Sequence, residues 1–155
     1  MFREMRRKDR QLDDGQSIQI LQQETYGVLS TLGENGYPYG VPLNYIMMDG
    51  SIYFHCAREG QKLDNILYHE KVSFCVVEKA QTKAKEFSSD FSSVIVFGRT
   101  IEVDEGEKQK ALEGFISKFS PDYLREGKDY IEKMKKNTKI MKIKIDHISG
   151  KARNR

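Results

Sequence analysis

The run Tyr53-Phe54-His55-Cys56-Ala57-Arg58-Glu59-Gly60-Gln61-Lys62 gathers the residues best suited to chemistry: an imidazole on a strand-like stretch, then a glycine and two cations where a helix opens. The first turn of a helix presents unpaired amides and partial positive charge, so an anion such as phosphate binds there readily. Arg58 and Lys62 would add full charges beside it. On residue type alone Lys62 is more simply a solvated lysine. The preceding run, Tyr39-Gly40-Val41-Pro42-Leu43-Asn44-Tyr45, has a proline where a strand is expected. Proline donates nothing to a ladder, so Pro42 implies an edge or a break in pairing. Free main-chain groups at such an edge, with the Asn44 amide, would suit a planar heteroaromatic ring with polar rims. A proline that protects an exposed edge from aggregation is an equally physical reading.

Other chemistry is absent from the sequence. There is no Gly-x-Ser-x-Gly elbow, no His-Glu-x-x-His helix and no glycine-rich fingerprint of a Rossmann or P-loop type. The three histidines, His55, His69 and His147, share no metal-like spacing, and Cys56 and Cys75 read as buried reduced thiols, so no metal site is expected. His69 and His147 read as structural. If the protein is an enzyme, a cofactor carries the reaction.

The elements that must position these residues fit one domain spanning 1–155, with 1–12 as an extended or weakly ordered arm. A net charge of +3, from 26 basic and 23 acidic residues spread along the chain, is too mild for a nucleic-acid face. It leaves room for an anionic small molecule. No run of about 18 apolar residues could span a bilayer, and the basic start lacks an apolar signal region, so the expected compartment is the cytoplasm.

Residues 13–25 have a helical pattern, with Asp13 or Asp14 as cap and Gly27 as the stop. Three β-rich runs follow, at 28–32, 39–48 and 51–57, separated by Asn35-Gly36 and Asp49-Gly50, which suit hairpin turns. A short helix is expected over 59–69 and a strand over 71–78. Residues 79–90 show no apolar period and read as a loop or irregular strand edge. The strand over 91–103 is the longest, two helical pieces occupy 104–136, and 139–148 alternates as a strand with one wet face. Six antiparallel strands with inserted helices make a mainly β fold, a small closed or nearly closed barrel.

In order along the chain, Met5-Arg6-Arg7-Lys8-Asp9-Arg10, Tyr26-Gly27-Val28-Leu29-Ser30-Thr31, Val41-Pro42-Leu43-Asn44-Tyr45, Tyr53-Phe54-His55-Cys56-Ala57, Glu59-Gly60-Gln61-Lys62-Leu63-Asp64-Asn65 and Phe91-Ser92-Ser93-Val94-Ile95-Val96-Phe97-Gly98-Arg99 resemble the nitroimidazole-resistance branch of the pyridoxamine-phosphate-oxidase-like flavoproteins. The closing Ile148-Ser149-Gly150-Lys151-Ala152 is similar to the same family's C-terminus. The resemblance implies a six-stranded split β-barrel that holds FMN at the interface of a homodimer. By similarity, the main chain of Val41, Pro42, Leu43 and Asn44 would line the flavin ring. The turn at Gly60 with Lys62 would hold its phosphate, Ala57 would also contact the cofactor, Ser92 and Ser93 would reach the flavin from the other subunit, and Lys151 would approach from the C-terminal segment. His55 would be the catalytic hydrogen-bonding or proton-donating partner. The implied activity is oxidoreduction, from a nicotinamide donor through FMN to a small acceptor such as a nitroaromatic or quinone. The alternative is a flavin- or haem-binding store of the same fold. Pyridoxamine-phosphate oxidases proper carry a C-terminal Trp, and this chain has no Trp, which argues against a vitamin B6 oxidase.

Overall fold

The computed structural model describes residues 1–153. Helix α1 (Asp14–Gln23) starts at a capping box: the Gln16 amide donates to Asp13 Oδ1 at 2.7 Å, and the Asp13 amide to Gln16 Oε1 at 3.1 Å. The chain then forms strands β2 (Tyr26–Leu32) and β3 (Pro38–Asn44), antiparallel and joined through Gly36 at φ +80°. β4 (Ile46–Met48) and β5 (Ser51–Ala57) pair through Asp49 and Gly50, both at positive φ as a two-residue hairpin turn requires. After helix α2 (Gln61–Tyr68) come the long strands β6 (Lys71–Lys83) and β7 (Ser88–Glu102). Helices α3 (Glu105–Phe119) and α4 (Leu124–Met134) precede β8 (Thr138–Arg153). A two-residue strand β1 (Gln11–Leu12) pairs with β8.

The strands form one sheet in the order β3-β2-β6-β7-β8-β5-β4. Its two edges, β3 and β4, are consecutive in sequence and joined only by Tyr45, so the sheet must curl until its ends nearly meet. That is the barrel. The strand expected over 39–48 is therefore two strands, and with β1 the count is eight instead of six. The corner at Tyr45 has its own anchors. The Tyr45 hydroxyl donates to Leu21 O at 2.7 Å, and Lys118 Nζ donates to Tyr45 O at 3.2 Å and Glu24 O at 2.5 Å.

Leu29, Phe54, Phe74, Val94, Val96 and Ile143 fill the barrel, and Ile20 and Leu21 of α1 join the same core. Gly27 is required by this filling, because a Cβ there would come within 2.5 Å of the Phe74 ring. It is a strand residue rather than a helix stop. Outside the barrel, α3 lays Ala111 and Phe115 over Ile46, Tyr53 and Ile140.

Two further expectations are decided. Of the two readings of 79–90, loop or irregular strand edge, the structure takes the second: after a register shift between Val77 and Lys79, β6 and β7 continue as a hairpin, with Lys83 opposite Ser88 and a left-handed Phe87 at the tip. The N-terminal arm is held rather than loose, through a 3-10 turn at Lys8–Arg10 and the β1–β8 pairing.

Candidate functional site

Alternation along β5 sends Ile52, Phe54 and Cys56 into the barrel and Tyr53, His55 and Ala57 outward. α3 covers Tyr53, whose hydroxyl donates to Glu107 Oε1 at 2.5 Å while Lys142 Nζ reaches the same oxygen at 2.6 Å. Two residues on, the His55 ring meets Phe115 edge-on, with centroids 4.9 Å apart, and keeps an exposed side. This apolar wall, and then the charge of Lys62, pull its pKa below the usual imidazole range. Burial pushes the Cys56 thiol up, which leaves it an inert core group.

Beyond Ala57 the chain turns at Gly60, whose φ of +143° strains any side chain, and nothing lies within 4 Å of where its Cβ would be. The amides of Leu63 and Asp64 both bond to Gly60 O, at 2.9 and 3.2 Å. The amides of Gln61 and Lys62 come before that first helical bond, and no side chain caps them. Arg58 pins the corner by donating to Lys136 O at 2.7 Å. Asn65, buried in α2, donates to Thr31 Oγ1 at 2.9 Å and locks the helix onto β2. His55, Ala57, Gly60 and Lys62 thus fall at one corner, where the helix start is open and its first amides are uncapped.

Pro42 lies on the outer side of β3, which pairs with β2 alone, so it does occupy an edge. Asn44 is also outward, with Nδ2 donating to Thr25 O at 3.1 Å, while Val41 and Leu43 pack inward. On the central strands β7 and β8, Ser93 is opposite Lys151 and Ser92 opposite Ala152. Adjacent strand residues face opposite sides: Ser92 is buried, and Ser93 lines a cavity with Lys151. That cavity has no wall from His55, Gly60 or Lys62. The structure therefore separates the expected residues: His55, Ala57, Gly60 and Lys62 lie at the β5–α2 corner, Pro42 and Asn44 on the outer side of edge strand β3, and Ser93 with Lys151 on β7 and β8, while Val41, Leu43 and Ser92 face inward.

Sequence reasoning passed over Lys118. Burial lowers its pKa, the Glu24 charge opposes that, and its ammonium lies 4.6 Å from the Tyr45 ring centroid. Nothing in its local sequence signals this role. His147 does prove to be packed, but against Phe2 of the N-terminal arm.

Among the described residues no helix is long and apolar enough to cross a membrane, and no cluster of His, Cys, Asp or Glu could hold a metal. An eight-stranded split barrel with a helix-start cradle at one outer corner defines the class. The chain belongs to the pyridoxamine 5'-phosphate oxidase family, whose model matches residues 13–152. No curated protein matches it. A candidate 5-nitroimidazole antibiotic resistance protein from Bacteroides thetaiotaomicron shares the fold at TM-score 0.72 and 20% identity, covering 92% of this chain and 86% of that one. An FAD-binding protein from Mesorhizobium loti does so at TM-score 0.71 and 21% identity, over 94% and 98%. An FAD- and haem-binding protein from Mycobacterium smegmatis reaches TM-score 0.78 at 15% identity, over 94% and 74%. The resemblance read in the sequence holds at the level of family and fold.

Proposed function

We propose that this chain is a cytoplasmic flavoprotein that binds FMN on the outer face of its barrel, as a homodimer, and passes electrons from a nicotinamide donor to a small acceptor such as a nitroaromatic or quinone. The observation that carries this reading is the β5–α2 corner. Gly60 offers a turn without a side chain, the Gln61 and Lys62 amides are uncapped, and Lys62 is close enough for its charge to depress the His55 pKa. That donor set fits a phosphate monoester.

Flavin, when bound, supplies the two-electron chemistry. The chain's own residues bind, orient and exclude water. The corner anchors the phosphate, and the Pro42–Asn44 edge offers main-chain groups to the ring. His55, kept neutral near pH 7 by Phe115 and Lys62, offers one ring nitrogen as donor and the other as acceptor. Ser93 and Lys151 serve the site from the second subunit, in keeping with their separation from the His55 corner. Ser92 contributes through its main chain, since its side chain is buried.

The test is Lys62→Ala. A charge-assisted phosphate contact contributes about 1.5–3 kcal/mol, so FMN affinity falls roughly tenfold to a hundredfold while riboflavin, lacking phosphate, binds both proteins alike. Equal FMN affinities would remove the corner from the site. A second reading, a flavin or haem carrier without turnover, draws on the fold shared with the M. smegmatis protein. A Soret band in the purified protein, or flavin that NADPH fails to reduce, selects it.

A further inference from the structure

The arm motif around Arg6 and Arg7 has no part in the function proposed above, yet the structure gives the arm a definite place. Its root pairs with β8, Gln11 opposite Lys151 and Leu12 opposite Gly150. Gly150 has no room for a Cβ, because Leu12 and Ser17 crowd it, so root, α1 and β8 meet at closest approach. The turn at Lys8–Arg10, closed by Arg10 N to Arg7 O at 3.0 Å, sends the chain back over β7 and β8. There Phe2 stacks on His147, with centroids 4.5 Å apart and planes 10° apart, and on Phe97 at 5.6 Å and 13°.

Between arm and sheet lies a cavity of about 530 Å³, walled by Phe2, Arg3 and Lys8 on one side and Ser93, His147 and Lys151 on the other. This volume is in the range of small-molecule sites. Its aromatic wall is the Phe2–His147 pair, stacked on each other so that only the outer surfaces of the stack face the cavity. Its charged walls are three cations, Arg3, Lys8 and Lys151, against one carboxylate, Glu4, which Lys8 already engages at 2.8 Å. Arg3 and Lys151 enter no ion pair among the described residues. Flat apolar surface beside uncompensated positive charge recognises a planar aromatic group bearing an anion.

We propose that this cavity binds a planar aromatic ring carrying an anionic group, the chemistry shared by a nicotinamide dinucleotide and an aromatic carboxylate. As the electron-donor or electron-acceptor pocket it rests on the flavin reading, because Ser93 and Lys151 border both; as a binding site it stands without it. The arm is then the specificity element, with Phe2 and His147 selecting flat rings and Arg3 selecting negative charge.

Equilibrium dialysis of the full chain, with and without FMN, against NADPH, para-nitrobenzoate and neutral para-nitrobenzyl alcohol tests this. We expect at least one anion to bind tenfold or more tightly than the neutral probe, with a preference that shrinks as salt rises. Arg3→Ala weakens the anion about fivefold to tenfold and spares the neutral probe; Phe2→Ala weakens both; FMN titrations are unchanged in either variant. Tighter NADPH identifies a donor pocket and tighter nitrobenzoate an acceptor pocket, and either result supports the proposal. Equal binding of anions and neutral probe, or affinities indifferent to both substitutions, overturns it. Arg3-dependent anion binding in a protein that takes up no FMN would sustain the cavity and defeat the flavin reading instead.

Discussion

The barrel's outer surface has two apolar regions, and only one is covered. On β4, β5 and β8, the residues Ile46, Tyr53 and Ile140 lie under Ala111 and Phe115 of α3, and all five are buried. On β2, β6 and β7, Tyr26, Val28, Val77, Ile95 and Phe97 point outward with 36–56% of their surface exposed. These align across the ladder: Pro42, Val28, Cys75, Ile95 and Ser149 make one row, and Ser30, Ser73, Phe97 and His147 the next. Within this chain Phe2 is the residue that stacks on the second row. The difference separates two jobs for the same kind of strand. An apolar face closed by the chain's own helix contributes to folding, whereas one left bare is free to serve association. The proposed dimer and the proposed split site both draw on the bare region.

The largest effect should come from opening the covered side. Phe115→Ala removes a buried ring and should cost about 3–5 kcal/mol in urea unfolding. By stripping His55 of its apolar wall, it should also raise the imidazole pKa toward its usual value, readable by NMR titration. A loss under about 1 kcal/mol would mean that α3 is not part of the core.

The bare side should respond in the opposite sense. Val28→Glu, on a strand position exposed within the protomer, should leave the secondary structure of the folded protomer unchanged by circular dichroism. In light scattering, however, it should turn a dimer into a monomer and release flavin with it. A Val28→Glu protein that remains dimeric would move the interface elsewhere.

A smaller effect concerns pH. His55 has a lowered folded pKa, so the unfolded chain takes up its proton first as acid is added. The contribution of neutral His55 is therefore complete above the unfolded value of about 6.5 and is lost as pH falls through the folded value. Urea midpoints of the parent should decline across that window, and those of His55→Gln should decline less. Parallel curves would show that the ring's surroundings do not favour its neutral form.

The smallest effect belongs to the start of the covering helix. Asp104 Oδ1 accepts from the Glu107 amide at 2.8 Å, and Asp104→Ala should cost about 1 kcal/mol without altering dimerisation. A dimer weakened by this change would mean that α3 contributes to association as well as to folding.

How legible each region was follows the reach of the forces that shape it. β5 was read residue for residue, because Asp49-Gly50 makes its turn on one side and Gly60 stops it on the other. The uncapped helix start at Gly60 was readable for the same reason, being set within one helical turn. The sequence leaves 79–90 open between a loop and an irregular strand edge because most of its side chains are in water on both faces, which removes the apolar alternation that marks a strand. The two serines illustrate both cases. Their presence at 92 and 93 is sequence, and the rule that only one can face outward follows from strand geometry, but which one depends on how the sheet curls.

By itself, then, the sequence determined most of the strands and helices, their turns and the family, since each is carried by short runs of neighbouring residues. The tertiary structure alone decided that the chain crosses from one sheet edge to the other at Tyr45, clamped by Lys118 from α3. It also decided that α3 would cover one apolar face and leave the other bare, and that Phe2 would cross the chain to stack on His147. Those outcomes are contests between packings of residues distant in sequence. No local pattern encodes them, because each partner's neighbours look the same whether the contact forms or not.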